Sequence, residues 1–453
     1  MLFRSVSIDD AIDLLGFGLF QYEILCATGL SYAADGMQVI LLSFLTPVLK
    51  EQWGLSNYET ASMSSTLFVG AFFGTLVWGP LADSLGRRPV FLWATTVITI
   101  ASFGMSVISN FRGVLATVFG IGFGVGGLTI PFDILAEFLP TNRRGQKLLQ
   151  INYAWTFGVL YVVAGAYIFL NVQPPSWRHF TRWCSIPCLL SLIIGFFFIP
   201  ESPRWLSSKG RLNEAMIVLR RAAFTNSPEG NVAFSEEMAL RPEPLERQAK
   251  LSELLHPRWK AITVRLWGAW FTFSFGYFGT LLVTTRIFSS NDNDTVDTEF
   301  DFLAIFITSI AEFIGTALAI VVIDRIGRIR SQVICFLVAG FFLFCFCLLA
   351  QWNAKRWILL LLAFSSRIFE MTATCILWVA TAEILNTEIR GAGHSSSNAF
   401  ARVGAMFCPL LVQSTTPLIQ VGIAMCVFHG VTAFCVSRLP ETNGRKLGFG
   451  YTA

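Results

Sequence analysis

Apolar residues run along this chain in long blocks, and polar residues are confined to the gaps between them, which is the pattern of helices that face lipid rather than of a half-buried surface. A bilayer core takes about 20 apolar residues per helix. Windows of that kind fall at roughly 22–49, 60–81, 90–110, 113–135, 148–170 and 183–199, then at roughly 262–288, 302–323, 331–350, 357–385, 396–416 and 418–437. The expected fold is an all-α integral membrane protein with twelve transmembrane helices in two six-helix halves. The expected division is a segment 1–21, a six-helix bundle 22–199, a polar linker 200–261, a second bundle 262–437 and a tail 438–453.

Basic residues sort to one side of these windows. Arg87 and Arg88, then Arg143, Arg144 and Lys147, the 200–260 segment, Arg325, Arg328 and Arg330, Arg390, and finally Arg438, Arg445 and Lys446 share that side. By the positive-inside rule it is cytoplasmic and holds both termini. The opposite loop between helices 7 and 8 is acidic, with Asp292, Asp294, Asp297, Glu299 and Asp301. The net charge of +4 thus follows topology and gives no reason to invoke nucleic acid. Within the linker, Pro203 to Asn226 reads as one amphipathic stretch with Leu206, Leu212, Met216, Ile217 and Leu219 apolar, before breaks at Ser227-Pro228-Glu229-Gly230 and Arg241-Pro242-Glu243-Pro244. No cleavable signal peptide is expected, because acidic Asp9, Asp10 and Asp13 precede an apolar run too long for one.

The composition, 54% hydrophobic with 43 Phe and 14% charged, agrees with a lipid solvent. The ten cysteines show no metal or disulfide spacing and read as packing residues; no cofactor is expected. No nucleophile and base arrangement or phosphate-binding loop points to an enzyme, since the Gly120-x-Gly122-x-Gly124-x-Gly126-Gly127 series lies in a membrane window. The chain is expected to act as a monomer.

The two halves repeat. Asp83-x-x-Gly86-Arg87 returns as Asp324-x-x-Gly327-Arg328, a shift of 324 − 83 = 241 residues. Pro200-Glu201 returns as Pro440-Glu441, and Glu137-x7-Gly145 as Glu383-x7-Gly391. Parallel halves of this kind are the expectation for a transporter whose halves rock about a central site.

Gly79-x-x-x-Asp83-x-x-Gly86-Arg87-Arg88 resembles the loop signature of the major facilitator superfamily, and Pro200-Glu201-Ser202-Pro203-Arg204 with Pro440-Glu441-Thr442-x-Gly444-Arg445 resembles its sugar-porter branch. The resemblance implies a latch in which Asp83 faces a helix N-terminus of the opposite half, while Glu201 and Glu441 pair with Arg144 and Arg390. The opening stretch 10–21 together with Ala34-Asp35-Gly36-Met37, Ala136-Glu137-Phe138-Leu139-Pro140 and Ala401-Arg402-Val403-Gly404-Ala405 is similar to the synaptic-vesicle-protein-related group, which includes niacin permease relatives. Departures matter. Many relatives carry an arginine in helix 4 where this chain has Val118, the loops are short, and helix 7 lacks the paired glutamines of hexose porters.

A charge at the bilayer centre costs about 2.5–3.5 kcal/mol on insertion scales, so each one needs a partner, a cavity or a duty. Asp35, mid-helix 1 among small residues, is the candidate proton carrier. Arg402 in helix 11, near Gly404 and Pro409, is the candidate anion site, or else a permanent salt-bridge partner of Asp35 or Glu370. Glu312, Asp133, Arg367 and Glu370 are further candidates, with Arg367 and Glu370 spaced to neutralise each other on one helix; His429 stands alone as a packing histidine. Trp270 and Tyr277 share one face of helix 7 where a flat ring could stack, and Asn152, Trp155 and Tyr161 on helix 5 are further candidates that also read as packing or lipid-facing residues.

The expected function is proton-coupled secondary transport of a small organic anion, such as an aromatic monocarboxylate, by alternating access. An organic cation or sugar carrier stays open, as does a transporter-like vesicle protein with a receptor or binding role. The location is a plasma membrane or an intracellular vesicle or vacuole membrane. Asn293-Asp294-Thr295 would be a glycosylation acceptor in a eukaryotic cell, and Asp10-x-x-x-Leu14-Leu15 has the form of a sorting signal.

Overall fold

The computed structural model describes residues 4–127, 129–140, 144–172, 174–227, 238–241, 251–291, 298–385, 387–413 and 415–443. Outside them lie Arg143, the expected breaks at 228–230 and 242–244, the Asn293-Asp294-Thr295 acceptor, and Gly444, Arg445 and Lys446; the side chain of Arg390 is also not described. The N-terminal half holds helix 1 (Leu19–Trp53), helix 2 (Asn57–Leu85), helix 3 (Arg87–Met105), helix 4 (Phe111–Glu137), helix 5 (Arg144–Leu170) and helix 6 (Trp177–Phe198). The second half holds helix 7 (Pro257–Ile287), helix 8 (Phe302–Val322), helix 9 (Arg328–Gln351), helix 10 (Arg356–Ile384), helix 11 (Thr387–Val412) and helix 12 (Leu418–Ser437).

Eleven of these are long and apolar enough to cross a membrane. The exception is helix 11, whose first half carries His394, Ser395, Ser396, Ser397, Asn398 and then Arg402. Polar residues survive there because this helix borders the space between the halves. The turn between helices 1 and 2 shows how tightly the ends are set. Gly54 adopts a left-handed φ of 63° to close helix 1, and Ser56 exchanges hydrogen bonds with Glu59 to cap helix 2.

Small residues fix the packing. A Cβ on Gly74 would strike the Phe123 carbonyl, and one on Gly122 the Leu67 carbonyl, so helices 2 and 4 touch backbone to backbone. The pair 1 and 5 does the same through Gly158 against Ala33, and its repeat equivalent, 7 and 11, through Gly404 against Phe271. Between the halves, helix 2 packs on helix 11 and helix 5 on helix 8.

The halves meet at both ends. Toward the 7–8 loop, Thr285 donates to Ser43 at 3.2 Å, and Phe44 packs against Phe300 and Phe302. Asp301 beside them is held below the usual carboxylate range by the Arg356 guanidinium, which forks onto it. Toward the linker, Gln146 donates to Asp324 at 3.1 Å, and Phe132 of helix 4 meets Trp378 and His394.

The Pro203 to Asn226 stretch is not one helix. It divides into Pro203–Ser208 and Leu212–Asn226 because Gly210, at φ 74°, breaks it, and Ile217, expected on the apolar face, is 65% exposed. Asn226 at its end caps helix 1, accepting from the Phe20 amide at 2.9 Å and donating to Gln21 at 3.0 Å. Residues Arg4–Val6 pair in parallel with Met238–Leu240, tying the start of the chain to the linker.

Because the helix 2 and helix 4 backbones already touch, Gly74→Leu should overpack the pair by roughly 1–3 kcal/mol and lower the thermal unfolding midpoint by several degrees in detergent. Gly104→Ala, whose Cβ would meet only Thr117 at 3.7 Å, should leave it nearly unchanged.

Candidate functional site

A cavity lies between the halves. Helices 7, 10 and 11 supply most of its wall, and helices 1 and 5 the remainder. Its surface is chiefly aromatic: Trp270 meets Trp378 edge to face at 4.9 Å, and Trp155 of helix 5 stands 6.1 Å from Tyr277 across the halves. Trp270 is fixed by a 2.9 Å hydrogen bond from its indole to Thr381. Below them His394 closes the floor against Phe132, Trp270 and Trp378.

The polar groups in this wall divide into committed and uncommitted ones. Tyr277 donates to Glu312 at 3.2 Å, Thr374 to the Glu370 carbonyl at 2.8 Å, and Asn152 to the Leu149 carbonyl at 3.1 Å. Arg402 Nε, Asn398 Nδ2 and Ser274 Oγ are buried without a partner. Buried polar groups are nearly always paired, so three open ones around one cavity make it the candidate binding site.

Asp35 is not in this cavity. Helix 1 turns Tyr32 toward it, while Ser31 and Asp35 face a smaller space walled by helices 3 and 4. There Asp35 is 2% exposed and its Oδ1 has no partner. The glycines that make room are Gly124 and Gly127 of helix 4. No described ion pair joins Asp35 or Arg402 to any residue, so the salt bridge between them considered above is absent.

Four other intramembrane residues are paired, though not as the sequence suggested. Arg367 reaches across to Glu312 on helix 8 at 2.5 Å, and Glu370 bonds His429 on helix 12 at 3.1 Å. Facing helices offer straighter geometry than the i,i+3 spacing of Arg367 and Glu370, and His429 is therefore not alone. Glu312 and Glu370 thus stand behind the cavity wall. Tyr161 is also elsewhere: it stacks on Trp183 at 4.7 Å and donates to its carbonyl at 3.1 Å, clamping helices 5 and 6. Tyr32, Trp378, Asn398 and His394 went unnoticed in the sequence. Asn398 had a signal, lying one turn before Arg402 on the most polar helix.

At the linker side the repeated motifs form two matching clusters. Arg87 bonds Asp83 at 2.5 Å and Glu137 at 3.2 Å, as Arg328 bonds Asp324 at 2.9 Å and Glu383 at 3.0 Å. Asp133 feels the same Arg87 charge. Glu201 accepts the Arg87 amide at 2.8 Å, and Glu441 the Arg328 and Ile329 amides at 2.9 and 3.0 Å, each capping the third helix of its own half. Gly86 and Gly327, at φ 111° and 100°, leave the space that each carboxylate fills.

The expected pairing of Glu201 with Arg144 is replaced by this cap, because four unmet amides at a helix start outbid one guanidinium; Arg144 donates to the Ala136 carbonyl at 2.6 Å. Burial carries the Glu201 carboxyl above the usual range despite the amides of Ser202, Arg87 and Arg88. At Glu441 burial pushes the same way, but the amides of Arg328, Ile329, Asn443 and Thr442 prevail and hold it below. Asp83 turns to Arg87, whereas Asp324 does face the other half through Gln146 in the first turn of helix 5. Gly79 lies against helix 11 near Ser395, and Arg88 donates to the Phe196 carbonyl at 2.8 Å.

The sequence profile of the sugar (and other) transporter family matches residues 26–448. The Synaptic vesicle 2-related protein of Bos taurus is 30% identical over 471 residues, covering 97% of this chain and 82% of its own. The Organic cation/carnitine transporter 7 of Arabidopsis thaliana is 28% identical, covering 97% of this chain and 95% of its own. Among solved structures, the inward open conformation of the xylose transporter XylE from E. coli superposes with a TM-score of 0.74 at 20% identity, covering 94% of this chain and 98% of that one. Sharing that fold, and matched by the family profile over nearly its whole length, the chain belongs to the sugar (and other) transporter family of the major facilitator superfamily and is a multi-pass membrane transporter.

Proposed function

We propose that this transporter carries a small organic anion, of the aromatic monocarboxylate kind, together with a proton by alternating access. The observation that carries the reading is Arg402: a guanidinium 4% exposed, bordering an aromatic cavity, with an unpartnered Nε and no carboxylate of its own. A buried cation in that position is completed by a carboxylate from the substrate, and the rings around it suit a flat apolar body. The Arabidopsis relative is named for organic cations and carnitine. In this chain the uncommitted charge at the cavity is positive and the uncommitted carboxylate faces a separate space, which favours an anion.

Charge balance supplies the coupling. While the cavity is empty, ionised Asp35 offsets Arg402 through the intervening helix. A substrate carboxylate on Arg402 takes over that role, and Asp35 then holds a proton in its own pocket. The linker joins the two halves while letting them rock, with the paired Arg87 and Arg328 clusters stiffening each half near the linker. Both termini and the linker are assigned to the cytoplasm and the 7–8 loop to the outside of a plasma or vesicle membrane, on the alternation of basic flanks.

Arg402→Ala should weaken a carboxylate by about 30-fold or more while changing its amide and amine analogues little. Competition among acid, amide and amine forms of one ring measures this, and equal loss across the three contradicts the anion reading. Asp35→Asn should abolish uptake driven by a pH gradient in liposomes, since the amide keeps the shape without carrying a proton; unchanged pH dependence would remove Asp35 from coupling. In intact cells with the protein in the plasma membrane, an impermeant thiol reagent should label a cysteine placed at Asn293 and spare one placed at Ser227. The reverse pattern overturns the topology.

A further inference from the structure

Glu370 and His429 are each 2% exposed, and they bond one another between helices 10 and 12 at 3.1 Å. The partners of the ring fix its protons. Nδ1 lies 2.8 Å from the Met425 carbonyl, which can only accept, so Nδ1 carries a hydrogen. Nε2 then faces the Glu370 carboxyl, and two sets of lone pairs cannot meet there without a proton between them. Imidazolium with carboxylate and neutral ring with carboxylic acid are the two ways to place that proton. Both leave the pair with no net charge.

The pair sits where the first half keeps Asp35. At the shift of 241 residues that relates the halves, Gly276 stands in the place of Asp35, His429 in that of Cys188, and Phe336 in that of Thr95, which lines the Asp35 space. Phe336 correspondingly packs on the His429 ring at 6.3 Å. Each half thus holds an ionisable group beside its third helix, supplied by helix 1 in one half and by helix 12 in the other. The two settings differ in room. Asp35 has open space and an unpartnered oxygen, whereas a Cβ on Gly276 would come within 2.7 Å of the His429 ring and one on Gly340 within 2.8 Å of the His429 Cβ. A proton on Asp35 can come and go; one between His429 and Glu370 is enclosed by close packing.

The pair backs directly onto the cavity. Gly276 adjoins Tyr277 and Glu370 adjoins Met371, both of which line it, and Thr374 of the same wall donates to the Glu370 carbonyl at 2.8 Å. The charged and titratable groups around the pair are Arg367 on helix 10, Glu312 on helix 8, Tyr277 on helix 7 and Cys408 on helix 11. Arg367 and Glu312 cancel one another. The charge behind the wall is therefore set by the pair, neutral with its proton and one unit negative without it.

We propose that His429 and Glu370 hold one resident proton, and that this proton, by keeping the wall behind Tyr277 and Met371 electrically neutral, lets the cavity accept an anion. This rests on the anion reading above and adds to it a second proton site, which keeps its proton whether the cavity is empty or loaded. His429 acts on charge selection through the wall without touching the substrate.

The test uses purified full-length protein in lipid nanodiscs and calorimetric titration with benzoate, phenylacetate and their amides at about pH 8, where a carboxyl in water is fully ionised. His429→Gln can still donate to Glu370 but supplies no proton to share, so it should weaken the acids by about tenfold and leave the amides unchanged. Glu370→Gln removes the charge instead of balancing it and should retain acid binding. The double variant His429→Gln with Glu370→Gln should recover it, with the unfolding midpoint of the empty protein showing which variants are intact. Unchanged acid binding in His429→Gln overturns the resident-proton proposal, as does equal loss of acids and amides or a folded double variant that fails to recover; each leaves the anion reading standing. If the amides bind the unmodified protein as tightly as the acids, or no acid binds it, the anion reading itself falls, and the proposal with it.

Discussion

Charge buried in a membrane protein has to be neutralised by something, and among the described buried charges of the C-terminal helices that requirement is met by an ion pair except at Arg402. Arg367 takes Glu312 and His429 takes Glu370, each pair spanning two helices and stiffening the wall behind the cavity. Replacing one member of such a pair would leave its partner unpaired and buried, at a cost of several kcal/mol. Arg402 and Asp35 have no described ion pair and each has an unpartnered atom, and they lie on different sides of helix 1. A molecule that keeps two opposite charges apart and incomplete has room for one anion and one proton, and the proposed coupling is the balance between them.

The scaffold is symmetric where it is mechanical and asymmetric where it is chemical. The Asp, Gly, Arg and Glu residues of each linker-side cluster repeat down to the individual hydrogen bonds, and the glycine contacts of helices 1 and 5 recur in helices 7 and 11. Both are constraints on backbone position that each half must meet to move as a body. The cavity breaks the repeat. Helix 11 brings Asn398 and Arg402, helix 5 brings Asn152 and Trp155, and the tryptophans of helices 7 and 10 have no match in the first half of the wall.

The features legible in the sequence were those that depend on composition over a long window or on a local turn. Twelve helices follow from hydropathy, and the Gly86 and Gly327 turns follow from a motif that only glycine satisfies. Individual partners were not legible, because a residue's neighbours across the bundle are set by helix rotation that hydropathy does not encode. Thus Arg367 looked paired with Glu370 at i,i+3 and instead crosses to Glu312, and Glu201 looked like an arginine's partner and instead caps helix 3. Asp35 and Arg402 were both identified from the cost of burying charge, while Tyr161, chosen on aromatic character alone, turned out to clamp Trp183. Trp378 and Tyr32 carry no signal distinguishing them from the many aromatic residues that face lipid or core.

The central claim is that one substrate anion at Arg402 exchanges for the negative charge of Asp35. It is tested most directly by following pH with an indicator dye while an aromatic carboxylate is titrated into purified protein in weakly buffered detergent near neutrality. The account predicts uptake of about one proton per carboxylate bound, and none in Asp35→Asn protein that still binds. Carboxylate binding with no proton uptake in the unmodified protein, or the same uptake in the Asp35→Asn variant, would contradict it.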